Sequence, residues 1–347
     1  MMGRRLVFGI LIASVLCAAL GPPAQASEFS RGGTFILPAW DARGAALGGA
    51  ATILIRDERS AYWNPANLVF LASARITAGT MEPVPGLDDR YSIICAGIAL
   101  FEKSPGADAT GAGLTGLPAS PEIAVDTTGV ADTSRAIAAA GLDTTLIRKT
   151  WGFAVSATHL GLHLAQGSSW NENTLGLSAA FAPTRRTAFG VTVRMMKSST
   201  DAADANSWGA AFDAGVIEQV TQHLWLAVTA KNVLSHVRYP HRTDTLDVSV
   251  NVAAAYRGLF DRISLECDAV VKYGVLNRLL TGVEIAAIPD LVFLLVGSDI
   301  RMSQEARVIP SFGLATSYRF AEIALSESFD PEGAFGRQTR VSMSLLF

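Results

Sequence analysis

The chain reads as an all-β protein, a transmembrane antiparallel β-barrel of about 14 strands, on three observations. The first is composition: the 347 residues are 50% hydrophobic but only 17% charged, and mean hydropathy is +0.31. Yet beyond the amino-terminal region no stretch approaches the roughly 20 apolar residues that a membrane helix needs. The richest, Leu291 to Gly297, is short and follows Pro289-Asp290. The second is period-two alternation repeated along the chain, which marks strands with one apolar face. The third is the ending TRVSMSLLF, which sets Val341, Met343, Leu345 and Phe347 on one face and finishes on an aromatic residue. Apolarity spread over many short segments suits a closed barrel, because in lipid every backbone group must be paired within the protein.

In chain order, Arg4 and Arg5 precede an apolar run from Leu6 to Leu20, then Gly21-Pro22-Pro23 and the small residues of Ala24-Gln25-Ala26. This is the pattern of a secretory signal peptide, so residues 1–26 are expected to be removed. Their loss takes Arg4 and Arg5 from a formal net charge of −3 and leaves the chain more acidic. No basic block remains, which argues against a nucleic-acid partner. The barrel is expected over residues 68–347, beginning with a strand from Leu68 to Thr80.

The clearest strands carry Leu175/Leu177/Ala179/Phe181, Phe189/Val191/Val193/Met195, Trp208/Ala210/Phe212/Ala214/Val216 and Leu246/Val248/Val250/Val252/Ala254/Tyr256. Between Ile263 and Tyr273, Glu266, Asp268 and Lys272 alternate with an apolar row. Charges at that spacing must face water, so the other face must meet lipid. With Glu284 these are the expected polar residues of the lumen, together with His159 and His163. On a strand the two histidines stand about 13 Å apart, too far to share one metal ion. Cys95 and Cys267 are read as small apolar residues of the lipid face. Residues 102–149, rich in Gly, Ala, Thr and Pro, cannot form a core and are expected to be a long surface loop facing outward, with a short helix near Ser134 to Ala140. No nucleophile, base and acid can be assembled with distinguishing context, so the sequence gives no reason to expect an enzyme, a cofactor or a metal site.

The segment before the barrel breaks the rhythm. Arg43-Gly44-Ala45-Ala46-Leu47-Gly48-Gly49-Ala50, then Asp57, then Asn64-Pro65-Ala66-Asn67 resembles the amino-terminal motif of the FadL superfamily of outer-membrane barrels, most nearly its PorV/PorQ branch. The resemblance continues through Gly209 to Leu234 and into the closing strand. It implies that residues 27–67 fold into the barrel as a hatch. Arg43, Gly44, Gly48, Gly49, Asp57, Asn64, Pro65, Ala66 and Asn67 would form the hatch motif, and Phe347 the assembly signal read by the barrel assembly machinery. The glycines allow close backbone approach, and Asn64 with Pro65 suits a fixed turn. By this resemblance the chain is expected in the bacterial outer membrane, among its lipids. The expected role is PorV-like docking of exported proteins, with passage of hydrophobic small molecules such as long-chain fatty acids as the alternative. Fold alone does not separate the two, because one scaffold serves both.

Overall fold

The computed structural model describes residues 41–71, 74–81, 90–101, 150–163, 169–200, 206–241, 243–260, 262–302, 306–330 and 336–347. The expected signal peptide, residues 27–40 of the hatch segment and the 102–149 connection with its short helix lie outside them.

The strands are β1 (Arg75–Met81), β2 (Arg90–Phe101), β3 (Thr150–His163), β4 (Ser169–Phe181), β5 (Thr187–Thr200), β6 (Ser207–Gln219), β7 (Leu224–Arg238), β8 (Thr243–Asp244), β9 (Ser249–Leu259), β10 (Ile263–Lys272), β11 (Val275–Ile288), β12 (Val292–Arg301), β13 (Arg307–Tyr318), β14 (Ala321–Asp330) and β15 (Gly336–Leu346). Apart from the two-residue β8, an addition on the end of β7, each strand pairs antiparallel with its sequence neighbours, β7 passing directly to β9. The sheet closes where β15 meets β1, Leu345 opposite Ile76 and Val341 opposite Thr80. Among the described residues this makes a closed barrel of 14 strands and the short β8. Closure leaves no open edge, which lipid requires.

Alternation turns the barrel inside out relative to a soluble protein. Ile94, Ile98 and Leu100 of β2, Trp151, Phe153 and Val155 of β3, and Val191, Val193 and Met195 of β5 are all exposed on the outer wall. Their inward neighbours are small or polar: Gly97, Gly152, Ala154, Gly190 and Thr192. Cys267 shares the outer face with the exposed Leu265. Cys95 does not. It is fully buried on the inner face with Ile93, and its thiol donates to the Glu58 carbonyl oxygen at 3.0 Å. Four apolar residues in succession, Ile93, Ile94, Cys95 and Ala96, fit either parity, and packing against the inner segment selects this one.

Leu68 to Phe70 also differ from expectation. They belong to a 3-10 helix, Pro65–Phe70, inside the lumen, and the first strand begins only at Arg75. Likewise β9 starts at Ser249 rather than Leu246, whose side chain is buried beside Met196, Ala211 and Val237.

Register places the ends. Leu346 pairs with Arg75, which pairs with Gly97, so β2 ends and β3 begins at the rim that carries Phe347. The turns 220–223, 260–262, 289–291 and 319–320 at that rim are short, the mark of the periplasmic side. Phe101 and Thr150, the described residues that flank 102–149, therefore lie at this rim.

If this facing is right, Val193→Arg in the middle of β5 puts a charge into hydrocarbon and lowers stability by about 2–4 kcal/mol, read by urea unfolding from phospholipid vesicles. Unchanged stability would contradict the outward assignment.

Candidate functional site

The lumen is closed by residues 41–71, which fold as short pieces because each is tied locally. Asp41 caps α1 (Ala42–Ala46), accepting from the Gly44 N–H at 2.7 Å, and also accepts from the Trp63 indole N–H at 2.7 Å. Trp63 ends α2 (Ser60–Trp63), so one carboxylate joins the two helices. Asn64 is extended; its side-chain oxygen accepts from the Ala66 N–H at 3.1 Å while Pro65 opens the 3-10 helix. The Asn67 amide donates to the carbonyl oxygens of Thr52 and Ile55 at 2.9 and 2.8 Å. Asn64 thus makes the turn, and Asn67 closes the loop that precedes it.

Close approach to the wall depends on missing side chains. A Cβ on Gly190, Gly215 or Gly297 would collide with Pro65 and Ala66, with Asn64, or with Leu47 and Gly48. Gly48, at φ 66°, lies against the Ser298 backbone, a conformation and an approach that any side chain would obstruct. Gly44 lies under the Trp63 ring.

Ion pairs then fix the hatch to β11, β14 and β1, and hydrogen bonds to carboxylates fix it to β10. Arg43 donates through Nη2 and Nε to Glu284 at 2.5 and 3.1 Å and through Nη1 to Glu322 at 3.3 Å. Arg59, fully buried, donates to Asp57 through Nε at 2.9 Å and through Nη2, which also reaches Glu322 at 2.8 Å. Arg75 completes the cluster, 3.0 Å from Glu322 and 3.3 Å from Glu58. Further round the wall, Glu266 accepts from the backbone N–H groups of Ile53 and Leu54 at 2.7 and 2.8 Å, and Asp268 accepts from the Thr52 hydroxyl at 2.6 Å. Charge-assisted bonds of this kind are strong and directional.

Environment sets the two adjacent hatch carboxyls apart. Burial alone would raise Asp57, but the Arg59 and Arg75 guanidiniums outweigh it and hold the carboxyl well below its usual range. Burial and the neighbouring Asp57 charge raise Glu58 to about 7, against the pull of Arg59 and Arg75.

On the side of the hatch away from Phe347 lies a cavity of about 360 Å³. Its apolar lining includes Tyr62, Trp63, Val270, Leu280 and Ile309. Most charges around it neutralise one another: Arg194 with Asp213 at 2.9 Å, Arg278 with Asp299 at 2.7 Å, and Lys272 with Asp247 at 3.6 Å. Lys231 has no such acid among the described residues, and its ammonium lies over the rings of Tyr62 and Trp63, 4.1 and 5.5 Å from their centroids. Asn232 beside it takes φ 59°, which asparagine tolerates better than most residues. Its backbone N–H donates to Asp213 at 2.8 Å, where β6 and β7 shift register.

Of the residues expected in the lumen, Glu266, Asp268, Lys272 and Glu284 point inward, the first two and Glu284 holding the hatch and Lys272 lining the cavity. His159 is a correction. It is exposed, shares its parity with Trp151, Phe153 and Val155, and its Nδ1 is paired with Asn173 of the next strand at 3.0 Å. The side chain of His163 lies outside the described residues. Sequence reasoning missed Arg59, Glu322, Arg75, Lys231 and the wall glycines. The available signal for Glu322 was its place between outward positions in Ala321-Glu322-Ile323-Ala324-Leu325. Glycines in the middle of strands were another, since they weaken strands unless something approaches closely.

No protein-family model matches the chain, and no curated protein matches it in sequence. Solved structures do. The CymD monoaromatic hydrocarbon channel has a TM-score of 0.58 at 10% identity, over 89% of this chain and 98% of that one. The toluene transporter TodX of P. putida has a TM-score of 0.53 at 11% identity, covering 90% and 99%, and a Pseudomonas aeruginosa FadL homologue 0.50 at 10%, covering 89% and 98%. The fold is that of the FadL-type barrels. The narrower PorV/PorQ resemblance has no counterpart among these three structures.

Glu58 supplies a pH test. A carboxyl raised on folding binds more protons in the folded state, so its contribution to hatch stability is full at low pH and is lost as pH rises from about 4.5 to about 7. Hydrogen-exchange protection of residues 53–60 is expected to decline from pH 5 to 7, with Glu58→Gln flattening the decline. Parallel curves for the two proteins would contradict the assignment.

Proposed function

We propose that the protein is an outer-membrane conduit for small molecules with an apolar body and a polar or anionic end, held above a hatch that regulates their passage. The cavity carries this reading. Its volume of about 360 Å³ is at the small-molecule scale, and its lining combines aromatic and aliphatic surface with the ammonium of Lys231, which has no ion pair among the described residues. Self-neutralised wall charges leave Lys231 as the natural contact for an anionic end. The similar structures, a monoaromatic hydrocarbon channel and a toluene transporter, support the apolar body of such a cargo. The hatch motif, Arg43 to Asn67, is proposed as the gate, and export by a cleaved signal peptide as the route to the membrane.

A secretion-docking role of PorV type has less support. An outward contact surface for an exported protein is not favoured at 102–149, because the flanking Phe101 and Thr150 lie at the rim that carries Phe347.

Native mass spectrometry of protein purified from its own outer membrane in mild detergent reads both co-purifying small molecules and proteins. A bound amphipathic molecule is expected, and filling the cavity with Ile309→Trp is expected to reduce its occupancy about tenfold or more, the effect of roughly 1.4 kcal/mol. A stoichiometric exported protein with no small ligand would overturn the proposal.

A further inference from the structure

On the Phe347 side, the hatch presents charge of another kind. The Arg56 guanidinium lies between two aromatic rings, 3.8 Å from the Trp225 centroid and 4.2 Å from that of Phe70. The rings are themselves edge to face at 5.5 Å. Arg56 Nε donates to the Ile53 carbonyl oxygen at 3.2 Å, while Nη2 is buried with no hydrogen-bond partner. Arg257 lies on the inner face of β9, two residues beyond Ala255, which pairs with Trp225, the residue whose ring carries Arg56. Its strand neighbour on β10 is Ser264, and Ser264 in turn pairs with Glu284 on β11, but Glu284 is occupied by Arg43. Arg257 also sits at the periplasmic rim, its backbone N–H donating to His223 of the 220–223 turn at 2.9 Å.

Neither Arg56 nor Arg257 has a carboxylate within ion-pair distance among the described residues. Arg43, Arg59, Arg75, Arg194 and Arg278 all do. A guanidinium does not deprotonate in proteins, so two such half-buried charges call for counter-charge. Burial and Arg257 act against the charged form of Arg56 and Glu266 acts for it from beyond ion-pair distance; an arriving anion adds to the pull of Glu266. The two rings stand at 77° to each other and hold the Arg56 guanidinium in the corner between them, which leaves Nη2 as the donor without a partner and suits it to an oxyanion oxygen.

We infer that Arg56 and Arg257 form a binding site for one oxyanion group, a carboxylate or phosphate, on the periplasmic side of the hatch. Its source is a free small anion or a lipid headgroup. The site is separate from the cavity that contains Lys231 and does not depend on passage through the barrel.

The test is calorimetric titration of the folded protein in uncharged detergent with three probes: inorganic phosphate, acetate, and short-chain phosphatidylglycerol against phosphatidylcholine. Phosphate is expected to bind, at least tenfold more weakly to Arg257→Gln and Arg56→Gln. Binding of phosphate and acetate supports a free anion; binding of phosphatidylglycerol alone supports a headgroup. Heat-modifiable migration in gels checks that each variant is folded. If the Gln variants fail to fold, Arg257→Lys keeps the charge without the fork and is expected to bind several-fold more weakly. The inference is overturned if none of the three probes binds the folded wild type, or if the folded variants bind as the wild type does. Because phosphate binding is read without transport, loss of this site and loss of the conduit proposal are distinguishable.

Discussion

The buried Arg59 guanidinium, shared between Asp57 of the hatch and Glu322 of the wall, is the interaction on which the interior depends. A barrel in lipid spends its apolar side chains on the outside, so its lumen is left polar. Anything that closes such a lumen must match charge with charge, or leave buried groups unsatisfied. Arg43, Arg59 and Arg75 meet Glu284, Glu322, Asp57 and Glu58, and the Ile53 and Leu54 N–H groups meet Glu266. Desolvation offsets much of what such pairs contribute to stability. Their value here is placement: the wall glycines admit the hatch backbone, and the ion pairs select one seating among those that glycines alone would allow.

Two compartments result from that seating. On the outward side, the cavity holds aromatic and aliphatic surface with Lys231 over Tyr62 and Trp63. On the periplasmic side, Arg56 and Arg257 have no carboxylate within ion-pair distance among the described residues. Most other charges of the hatch are matched.

The strands were legible because lipid imposes a simple rule on alternate residues, seen plainly in Phe189/Val191/Val193/Met195 and in Glu266/Asp268 opposite their apolar row. Where that rule was silent, the reading failed. Cys95 lay in an apolar run with no parity, and only Glu58 on the hatch decides its face. His159 is polar but sits at an outward position near the end of β3, where its partner is Asn173 of β4 rather than the lumen. Leu68 to Phe70 look like a strand and are held as a 3-10 helix by Pro65 and Asn64. The hatch motif was visible as Asn64-Pro65-Ala66-Asn67, and its turn chemistry follows from those residue types. Its ion pairs with Glu284 and Glu322 join residues more than 240 positions apart, and no local pattern encodes such a pairing.

The most direct test of the account is ion conductance in planar lipid bilayers, comparing the wild type with Arg59→Met. The wild type is expected to stay closed, because the hatch is seated. Removing the guanidinium leaves Asp57 and Glu322 with only Arg43 and Arg75 as counter-charges, a loss of about 3 kcal/mol, the low end for a broken buried pair, and is expected to produce frequent openings in a barrel that still folds. Equal conductance of the two proteins, closed or open, would contradict the claim that this buried network holds the hatch in place.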